Sequence, residues 1–272
     1  MNSVEEAKER AALLLQEMSL EEKMGQLVGY YPKNWSAEEL KRDYPHGAGQ
    51  VACIGMRELD SLEKIVSYQK EIQSQIMELS EHHIPAIFHM EGLCGVLIQE
   101  GDCFPSGIGR ASTWDPQLEE EVGDITGRQS RAVGASQILA PVLDISRDSR
   151  LGRQGETYGE DPALASAMGS AYVQGIQQDG DLTEGTAATA KHFLGYHDSQ
   201  GGIHAAACDI PERLLREIYA RPFPVSYTHL DVYKRQGLYS YGIHSVLQSL
   251  RGEKAAAGNP GFGIGNLHQD RV

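Results

Sequence analysis

Short apolar runs of strand length alternate with segments of helical periodicity along most of this chain. Four such runs follow one another, at 49–55, 84–90, 137–145 and from about 187 onward. Between and after them, apolar residues recur at helical spacing in segments near 61–79, 115–133, 161–178 and 211–223. Strands that alternate with helices pair in parallel through right-handed crossovers. The pattern therefore predicts an α/β fold built on a parallel sheet.

Polar residues gather directly after three of the apolar runs, which helps to choose between the two parallel-sheet architectures. The segments are "HMEGLCG", "SRDSRLGRQGETYGED" and "KHFLGYHDSQGG". A closed (β/α) barrel builds its active site at the carboxyl ends of its strands. An open doubly wound sheet usually carries a glycine-rich phosphate loop after a strand, and no strand here is followed by GxGxxG or GxxxxGK[ST]. We therefore predict a TIM-like (β/α) barrel, an architecture of about 250 residues.

Charge and hydropathy exclude several classes of partner. The formal net charge is −14, whereas binding to nucleic-acid phosphates requires clustered Lys and Arg. No stretch approaches the roughly 18 apolar residues of a membrane span, and the amino terminus lacks the basic and apolar regions of a signal peptide. Cys53, Cys94, Cys103 and Cys208 have no metal-ligand spacing. We expect a soluble, cytoplasmic protein that binds neither nucleic acid nor membrane and needs no metal or organic cofactor.

The polar segments hold the candidate functional residues, although each has a structural interpretation when taken alone. The loop at 146–162 contains three arginines and four acids, and can be a ligand clamp or a self-satisfied salt-bridge network. Lys191 and His192 end a strand, where two neighbouring side chains reach one site only if the strand has ended or bent. Glu91 follows a very apolar strand, and can equally cap the next segment or pair with a loop arginine.

Four long motifs occur in order along the chain: "MSLEEKMGQL", "IPAIFHMEGLCG", "APVLDISRDSRLGRQGETYGEDPALASAMGSAYVQGIQ" and "KHFLGYHDSQGGIHAAACDIPERLLREIYARPF". Together they resemble the characteristic blocks of glycoside hydrolase family 3, the β-glucosidase and β-xylosidase family. The resemblance covers about residues 5–223. It implies a TIM-like barrel and a retaining, exo-acting β-glycosidase, with β-glucosidase as the first candidate and β-xylosidase as the second.

The resemblance also implies roles for four residues in binding a small-molecule β-glycoside. Glu91 matches the acid that accepts hydrogen bonds from the non-reducing-end sugar, and Arg153 matches an arginine that donates to the same sugar. Lys191 and His192 match a pair that donates to neighbouring hydroxyls. Tyr196 stands where the branch specific for N-acetylglucosamine has its proton-donating histidine, which disfavours that branch.

The chain lacks the motifs that carry the catalytic carboxylates of this family. A retaining glycosidase needs a nucleophile and an acid/base roughly 5–5.5 Å apart. The family's nucleophile is an Asp in an "SDW"-like motif on a later barrel strand, and its acid/base usually comes from a second domain. Asp231 and Asp270 are the only aspartates after Asp209, and neither lies in such a motif. We therefore expect no catalytic residue in this chain, and an incomplete barrel that is inactive and marginally stable.

The segment at 225–236, "VSYTHLDVYKRQ", departs from the pattern of the preceding chain. It can be written in codons that, apart from the last two bases, are their own reverse complement. That string resembles two transposon ends joined back to back, as used in preparing sequencing libraries. We expect a partial family barrel domain at 1–224, an artefactual insert at 225–236, and a tail at 237–272 that is not native. A genuine insertion with a diverged tail is the alternative.

Two other functions fit part of the sequence. A non-catalytic sugar-binding or sensor module could use the same four residues without hydrolysing its ligand. An unrelated (β/α) barrel enzyme, such as an aldolase, could use Lys191 as a Schiff-base amine. The adjoining His-Phe and the arginine-rich loop would then be unexplained.

Overall fold

The computed structural model of the protein describes residues 4–32, 36–181 and 183–224. These residues belong to one compact unit, 1–236. The helices within them are α1 (Val4–Glu17), α2 (Leu20–Gly25), α3 (Ala37–Asp43), α4 (Leu62–Leu79), α5 (Gly107–Ala111), α6 (Pro116–Ala132), α7 (Pro162–Gln177) and α8 (Glu212–Leu214). The strands are β1 (Gly29–Tyr30), β2 (Gln50–Ala52), β3 (Ile87–Met90), β4 (Gln137–Ile138) and β5 (Ala187–Ala188). The predictions for 225–236 and 237–272 concern residues outside this description.

The five strands form one parallel sheet in the order β1-β2-β3-β4-β5, so each strand pairs with the next along the chain. The register continues from strand to strand: Ala52 pairs with His89, and His89 pairs with Gln137. A strand order that follows the sequence order is that of a barrel wall, because a doubly wound sheet reverses direction at a switch point. The predicted α/β fold on a parallel sheet is confirmed.

The longer helices begin where the sequence carries capping residues. Ser61 caps α4, Asp115 caps α6 and Asp161 caps α7, and each side chain accepts from backbone N–H groups of the following turn. Pro116 and Pro162 occupy the first turn of their helices, where the missing N–H is no loss because it would have no partner within the helix. These local signals explain why the helix starts near 115 and 161 were predictable.

The predicted strand at 137–145 is much shorter in the structure. β4 ends at Ile138, and Pro141 then interrupts the ladder because it has no N–H to donate. Further on, the Leu143 N–H donates to the Lys191 carbonyl at 2.6 Å, and the Lys191 N–H donates to the Pro141 carbonyl at 3.0 Å. The segments that follow β4 and β5 therefore remain side by side beyond the ends of the strands.

The main core lies between the sheet and helices α4, α6 and α7. Its fully buried side chains include Ile72 and Ile76 of α4, Phe88 of β3, Ile138 of β4 and Tyr172 of α7. The alternation of inward and outward residues is clearest in β3, where two of its four side chains face this core. Burial of such apolar side chains contributes about 1.5–3 kcal/mol each, so this core is the main source of stability for the sheet.

A second, smaller core supports the loops that follow β4 and β5. It contains Leu143 and Ile145 after β4, Met168 of α7, and Phe223. Phe193 packs edge-to-face on Phe223, with ring centroids 5.1 Å apart. This apolar support anchors the backbone just after β5, where two of the predicted site residues lie.

Candidate functional site

The four predicted site residues lie at the same end of the sheet. Glu91 follows β3 directly, Arg153 lies in the long loop after β4, and Lys191 and His192 follow β5. These three strands are adjacent and parallel, so their carboxyl ends open onto one surface. The structure brings the four side chains together as two groups, which meet at the neighbouring residues Lys191 and His192.

Glu91 and Lys191 form the first group. The Nζ atom of Lys191 donates to Oε2 of Glu91 at 2.8 Å. The lysine side chain is 14% exposed and the glutamate side chain is 42% exposed. The lysine is thus largely enclosed, whereas the carboxylate remains open to a ligand from the solvent side.

Arg153 is the centre of the second group. Its Nε and Nη2 atoms each donate to one carboxylate oxygen of Glu156 at 2.6 Å, and Nη1 donates to the hydroxyl of Tyr196 at 3.1 Å. The hydrogen-bonded pair with Glu156 raises the pKa of Arg153 and lowers the pKa of Glu156. Because the contact is bidentate, it fixes the orientation of the guanidinium plane.

His192 is oriented by Asp144, a carboxylate whose side chain is only 1% exposed. The backbone N–H of His192 and its Nδ1 atom lie 3.0 Å and 2.8 Å from Oδ2 of Asp144. An ionised carboxylate only accepts hydrogen bonds, so this contact assigns a proton to Nδ1. The other ring nitrogen, Nε2, lies 3.5 Å from Nη2 of Arg153 and is the atom turned toward the site.

Lys191 and His192 both reach the site because the strand ends before them. β5 stops at Ala188, and the pair lies in the irregular segment that follows. On a continuing strand, successive side chains would point to opposite faces of the sheet. The strand predicted from about residue 187 is therefore shorter than its sequence pattern indicates, and its early end allows both side chains to reach one site.

Four residues shape the site that were not predicted as site residues: Asp144, Glu156, Tyr196 and His204. Asp144 lies near the end of the apolar run "APVLDI", and an acid in such a run is a signal that could have identified it. Glu156 belongs to the loop of arginines and acids, but the sequence does not say which of them pair. His204 Nε2 lies 2.6 Å from the Tyr196 hydroxyl, a contact that no sequence pattern indicates.

One group of potential metal ligands occurs within the described residues, and it lies away from this site. It consists of Glu22, Glu81 and His82, near the amino end of β3. Glu22 already accepts hydrogen bonds from the Ser80 hydroxyl and from His82. These hydrogen bonds hold Glu22 and His82 together.

Comparison with known proteins identifies the family. The chain matches the family model described as "Glycosyl hydrolase family 3 N terminal domain" over residues 19–227. It is 40% identical over 149 residues to a beta-xylosidase of Formosa agariphila, covering 52% of this chain and 21% of that protein. It is 32% identical over 260 residues to a putative beta-xylosidase of the same organism, covering 88% and 34%. A beta-glucosidase of Rhizobium radiobacter is 44% identical over 121 residues, covering 44% and 14%.

Solved structures share the same architecture. A beta-glucosidase from Erythrobacter marinus superposes with a TM-score of 0.73 at 27% identity, covering 80% of this chain and 30% of that one. An exo-1,3/1,4-beta-glucanase from Pseudoalteromonas has a TM-score of 0.73 at 27% identity, covering 82% and 29%. The chain therefore spans about a third or less of the length of these relatives.

The predicted cytoplasmic location stays a prediction. The relatives include a periplasmic beta-glucosidase of Salmonella typhimurium and a lysosomal beta glucosidase of Dictyostelium discoideum. Among the described helices, none combines the length and the apolar character that crossing a membrane requires.

The family match, the relatives and the strand order agree. The TIM-like barrel predicted from the position of the polar segments is the fold of this family's N-terminal domain, and the described residues form part of it. The relatives are β-glucosidases and β-xylosidases, so the family is one of β-glycosidases. This chain belongs to glycosyl hydrolase family 3.

Proposed function

We propose that this chain supplies the sugar-recognition side of a retaining, exo-acting β-glycosidase. β-Glucosidase is the first candidate activity of the whole protein, and β-xylosidase is the second. The observation that supports this most is the assembly of Glu91, Arg153, Lys191 and His192 at the carboxyl ends of three adjacent strands. The names of the relatives support the same two activities.

The chemistry of the four residues suits a neutral sugar. A pyranose offers only hydroxyl groups, which need both acceptors and donors. The open carboxylate of Glu91 accepts, while Lys191 and Arg153 donate. Hydrogen bonds to charged groups contribute about 1.5–3 kcal/mol each, more than those between neutral groups. His192 presents Nε2, which accepts when the ring is neutral and donates when it is protonated.

Each of the three carboxylates described in this site pairs with a basic side chain. Glu91 pairs with Lys191, Glu156 pairs with Arg153, and Asp144 holds His192. A retaining mechanism requires two further carboxyl groups at the anomeric carbon, one as nucleophile and one as acid/base. We therefore propose that the chain of 272 residues is an inactive fragment, which carries sugar-binding residues of the site but does not hydrolyse the glycosidic bond.

Hydrolysis is tested with the complete chain and a nitrophenyl β-glucoside or β-xyloside. We expect no release of nitrophenol above the blank, with a β-glucosidase of the family as positive control. Turnover that rises with protein concentration would contradict the assignment of an inactive fragment.

Sugar recognition is tested by titrating glucose and following binding by NMR. We expect weak binding, with a dissociation constant of roughly 1 mM, equivalent to about −4 kcal/mol. Lys191→Ala should weaken this binding about tenfold or more, because it removes one charged hydrogen bond and leaves Glu91 unpaired. Lys70→Ala, which removes an exposed lysine of α4, is the matched control. Micromolar binding without hydrolysis would favour a sensor module instead.

The proposed division at residue 224 is tested at the level of DNA. We propose that 225–236 is an artefactual insert and that 237–272 is not native. Amplification of the gene from the source cells, across codons 220–240, should yield a sequence that continues differently after residue 224. A seamless reading through "VSYTHLDVYKRQ" into the same ending would show that the segment is genuine.

A further inference from the structure

Tyr196 contacts three residues of the candidate site: Arg153, His192 and His204. Its hydroxyl oxygen lies 3.1 Å from Nη1 of Arg153 and 2.6 Å from Nε2 of His204. Its ring centroid lies 4.7 Å from that of His192 and 5.3 Å from the guanidinium carbon of Arg153. Tyr196 is therefore packed among the residues that we propose to bind the sugar.

The direction of the hydrogen bond with Arg153 follows from the groups involved. A guanidinium has donors and no acceptor, so the phenol oxygen accepts from Arg153. The direction of the contact with His204 depends on the tautomer of that ring. With the proton of His204 on Nδ1, the contacts form one directed chain of hydrogen bonds, in which Arg153 donates to Tyr196 and Tyr196 donates to His204.

These hydrogen bonds limit which N–H groups of Arg153 can reach a ligand. Of the five N–H donors of a guanidinium, Nε and one on Nη2 are bound to Glu156, and one on Nη1 is bound to Tyr196. The second N–H of Nη2 faces Nε2 of His192 at 3.5 Å, so the second N–H of Nη1 is the donor that remains for a ligand. The Tyr196 hydroxyl and Glu156 thus hold the guanidinium from two sides.

We propose that Tyr196, held by His204, is a positioning residue that directs the remaining N–H of Arg153 Nη1 toward the sugar. The inference deepens the proposed function and rests on it. Tyr196 acts through Arg153, because its hydroxyl already contacts both Arg153 and His204.

The first test removes only the hydroxyl. Tyr196→Phe keeps the ring against His192 and Arg153, so the fold and the thermal unfolding midpoint should be unchanged. Affinity for glucose, measured by NMR titration of the complete chain, should fall about 3- to 10-fold, the range expected for one hydrogen bond. Equal affinity in the wild type and in Tyr196→Phe would overturn the inference while leaving the proposed function intact.

The partner residue provides a conservative pair of variants. His204→Gln keeps an acceptor for the phenol proton, whereas His204→Ala removes it. We expect His204→Gln to retain most of the affinity that His204→Ala loses. His83→Ala is the matched control, because His83 is an exposed histidine whose contact is with the Met77 carbonyl. Equal affinities in the two His204 variants would contradict the directed chain.

A second measurement needs no sugar. Exchange of the Arg153 guanidinium protons with water, followed by side-chain ¹⁵N NMR, should be faster in Tyr196→Phe than in the wild type. Unchanged exchange overturns the positioning role whatever the sugar does. Faster exchange in a protein that binds no glucose would support the contact between Tyr196 and Arg153 but overturn the proposed sugar site. Failure of the positioning role and failure of the sugar site therefore give different results.

Discussion

At the scale of single residues, a buried charged pair supports the loop that follows Glu91. Arg110 and Glu119 are 6% and 1% exposed, and they form two hydrogen bonds of 2.7 Å and 3.0 Å. The Tyr158 hydroxyl donates to the same carboxylate at 2.6 Å. Arg110 also donates to the carbonyls of Leu93 and Pro105, in the loop that follows Glu91. A buried charge is tolerated only when it is paired and hydrogen-bonded in this way.

Breaking this pair should be costly. Arg110→Met leaves the Glu119 carboxylate buried without its cation, and we expect the free energy of unfolding to fall by about 3–5 kcal/mol. Arg128→Met breaks the exposed pair with Asp124 and serves as the control, with an expected loss below about 1 kcal/mol. Urea unfolding followed by circular dichroism measures both. Similar small losses in the two variants would show that the buried pair contributes no more to the free energy of unfolding than the exposed pair does.

Glu22 is a second residue whose ionisation is coupled to folding. Burial raises the pKa of its carboxyl, but hydrogen bonds from the His82 N–H, the Ser80 hydroxyl and the His82 ring outweigh burial. The net result is a pKa below the ordinary value of 4.5. A group with a lowered pKa in the folded state stabilises the fold above its unfolded pKa, and this contribution is lost as the pH falls through the folded pKa.

The pH dependence of Glu22→Gln tests this coupling. The wild type should be more stable than the variant at neutral pH, and the difference should shrink as the pH falls below 4.5. Urea unfolding at a series of pH values between neutral and about 3 measures the difference. Glu21→Gln, at the exposed neighbouring position in α2, is the matched control and should change stability little. A difference that grows on acidification would reverse the sign and contradict the assignment.

At the scale of elements, α6 and α7 pack more closely than side chains would allow. A Cβ atom added to Gly123 of α6 would lie 2.5 Å from the Tyr172 carbonyl oxygen and 3.1 Å from the Ile176 nitrogen of α7. Both groups belong to backbone, which cannot move aside without shifting the helix. The glycine lowers the intrinsic stability of α6, and the close contact with α7 offsets that cost.

Gly123→Ala should therefore destabilise the protein although alanine favours helices. Overpacking typically costs about 1–3 kcal/mol, more than the roughly 0.5–1 kcal/mol that alanine gains over glycine in a helix. Ser74→Ala, at an exposed position of α4, is the control and should stabilise by a few tenths of a kcal/mol at most. Thermal unfolding compares the two, and a rise in the midpoint for Gly123→Ala would refute the close-packing argument.

At the scale of the whole molecule, the segment that contains α2 and β1 exposes several large apolar side chains. They are Leu20, Met24, Leu27, Val28 and Tyr31. Leu27 is 88% exposed. Within the part of the chain that the structure describes, β1 and β5 each pair with one strand only. Unpaired strand edges beside exposed apolar side chains promote association between molecules.

We expect the chain to self-associate through this segment. Leu27→Lys should raise the concentration needed for association about tenfold, because burying a leucine contributes about 1.5–3 kcal/mol and lysine opposes it with a charge. Gln117→Lys, an equal change of charge at an exposed position of α6, is the control. Sedimentation velocity over a range of concentrations gives the comparison. A wild type that stays monomeric throughout would contradict this prediction.

Local chemistry explains why much of this protein was predictable from its sequence. Asp115 and Asp161, each followed by proline, specify helix starts whatever surrounds them. An apolar run such as 84–90 predicts a buried strand, because a strand of a parallel sheet is covered on both faces and can bury all of its apolar side chains. The position of Glu91, Arg153 and Lys191 after successive strands indicated one common surface, since parallel strands end together.

Long-range contacts explain the rest. The pairings of His192 with Asp144 and of Tyr196 with Arg153 depend on how the segments after β4 and β5 pack against each other. β4 ends early, at Ile138, because Pro141 has no N–H to donate to the hydrogen-bond ladder. Periodicity and capping act over a few residues and can be read along the chain, whereas the partner of a polar side chain depends on register and packing and emerges only when the sheet has formed.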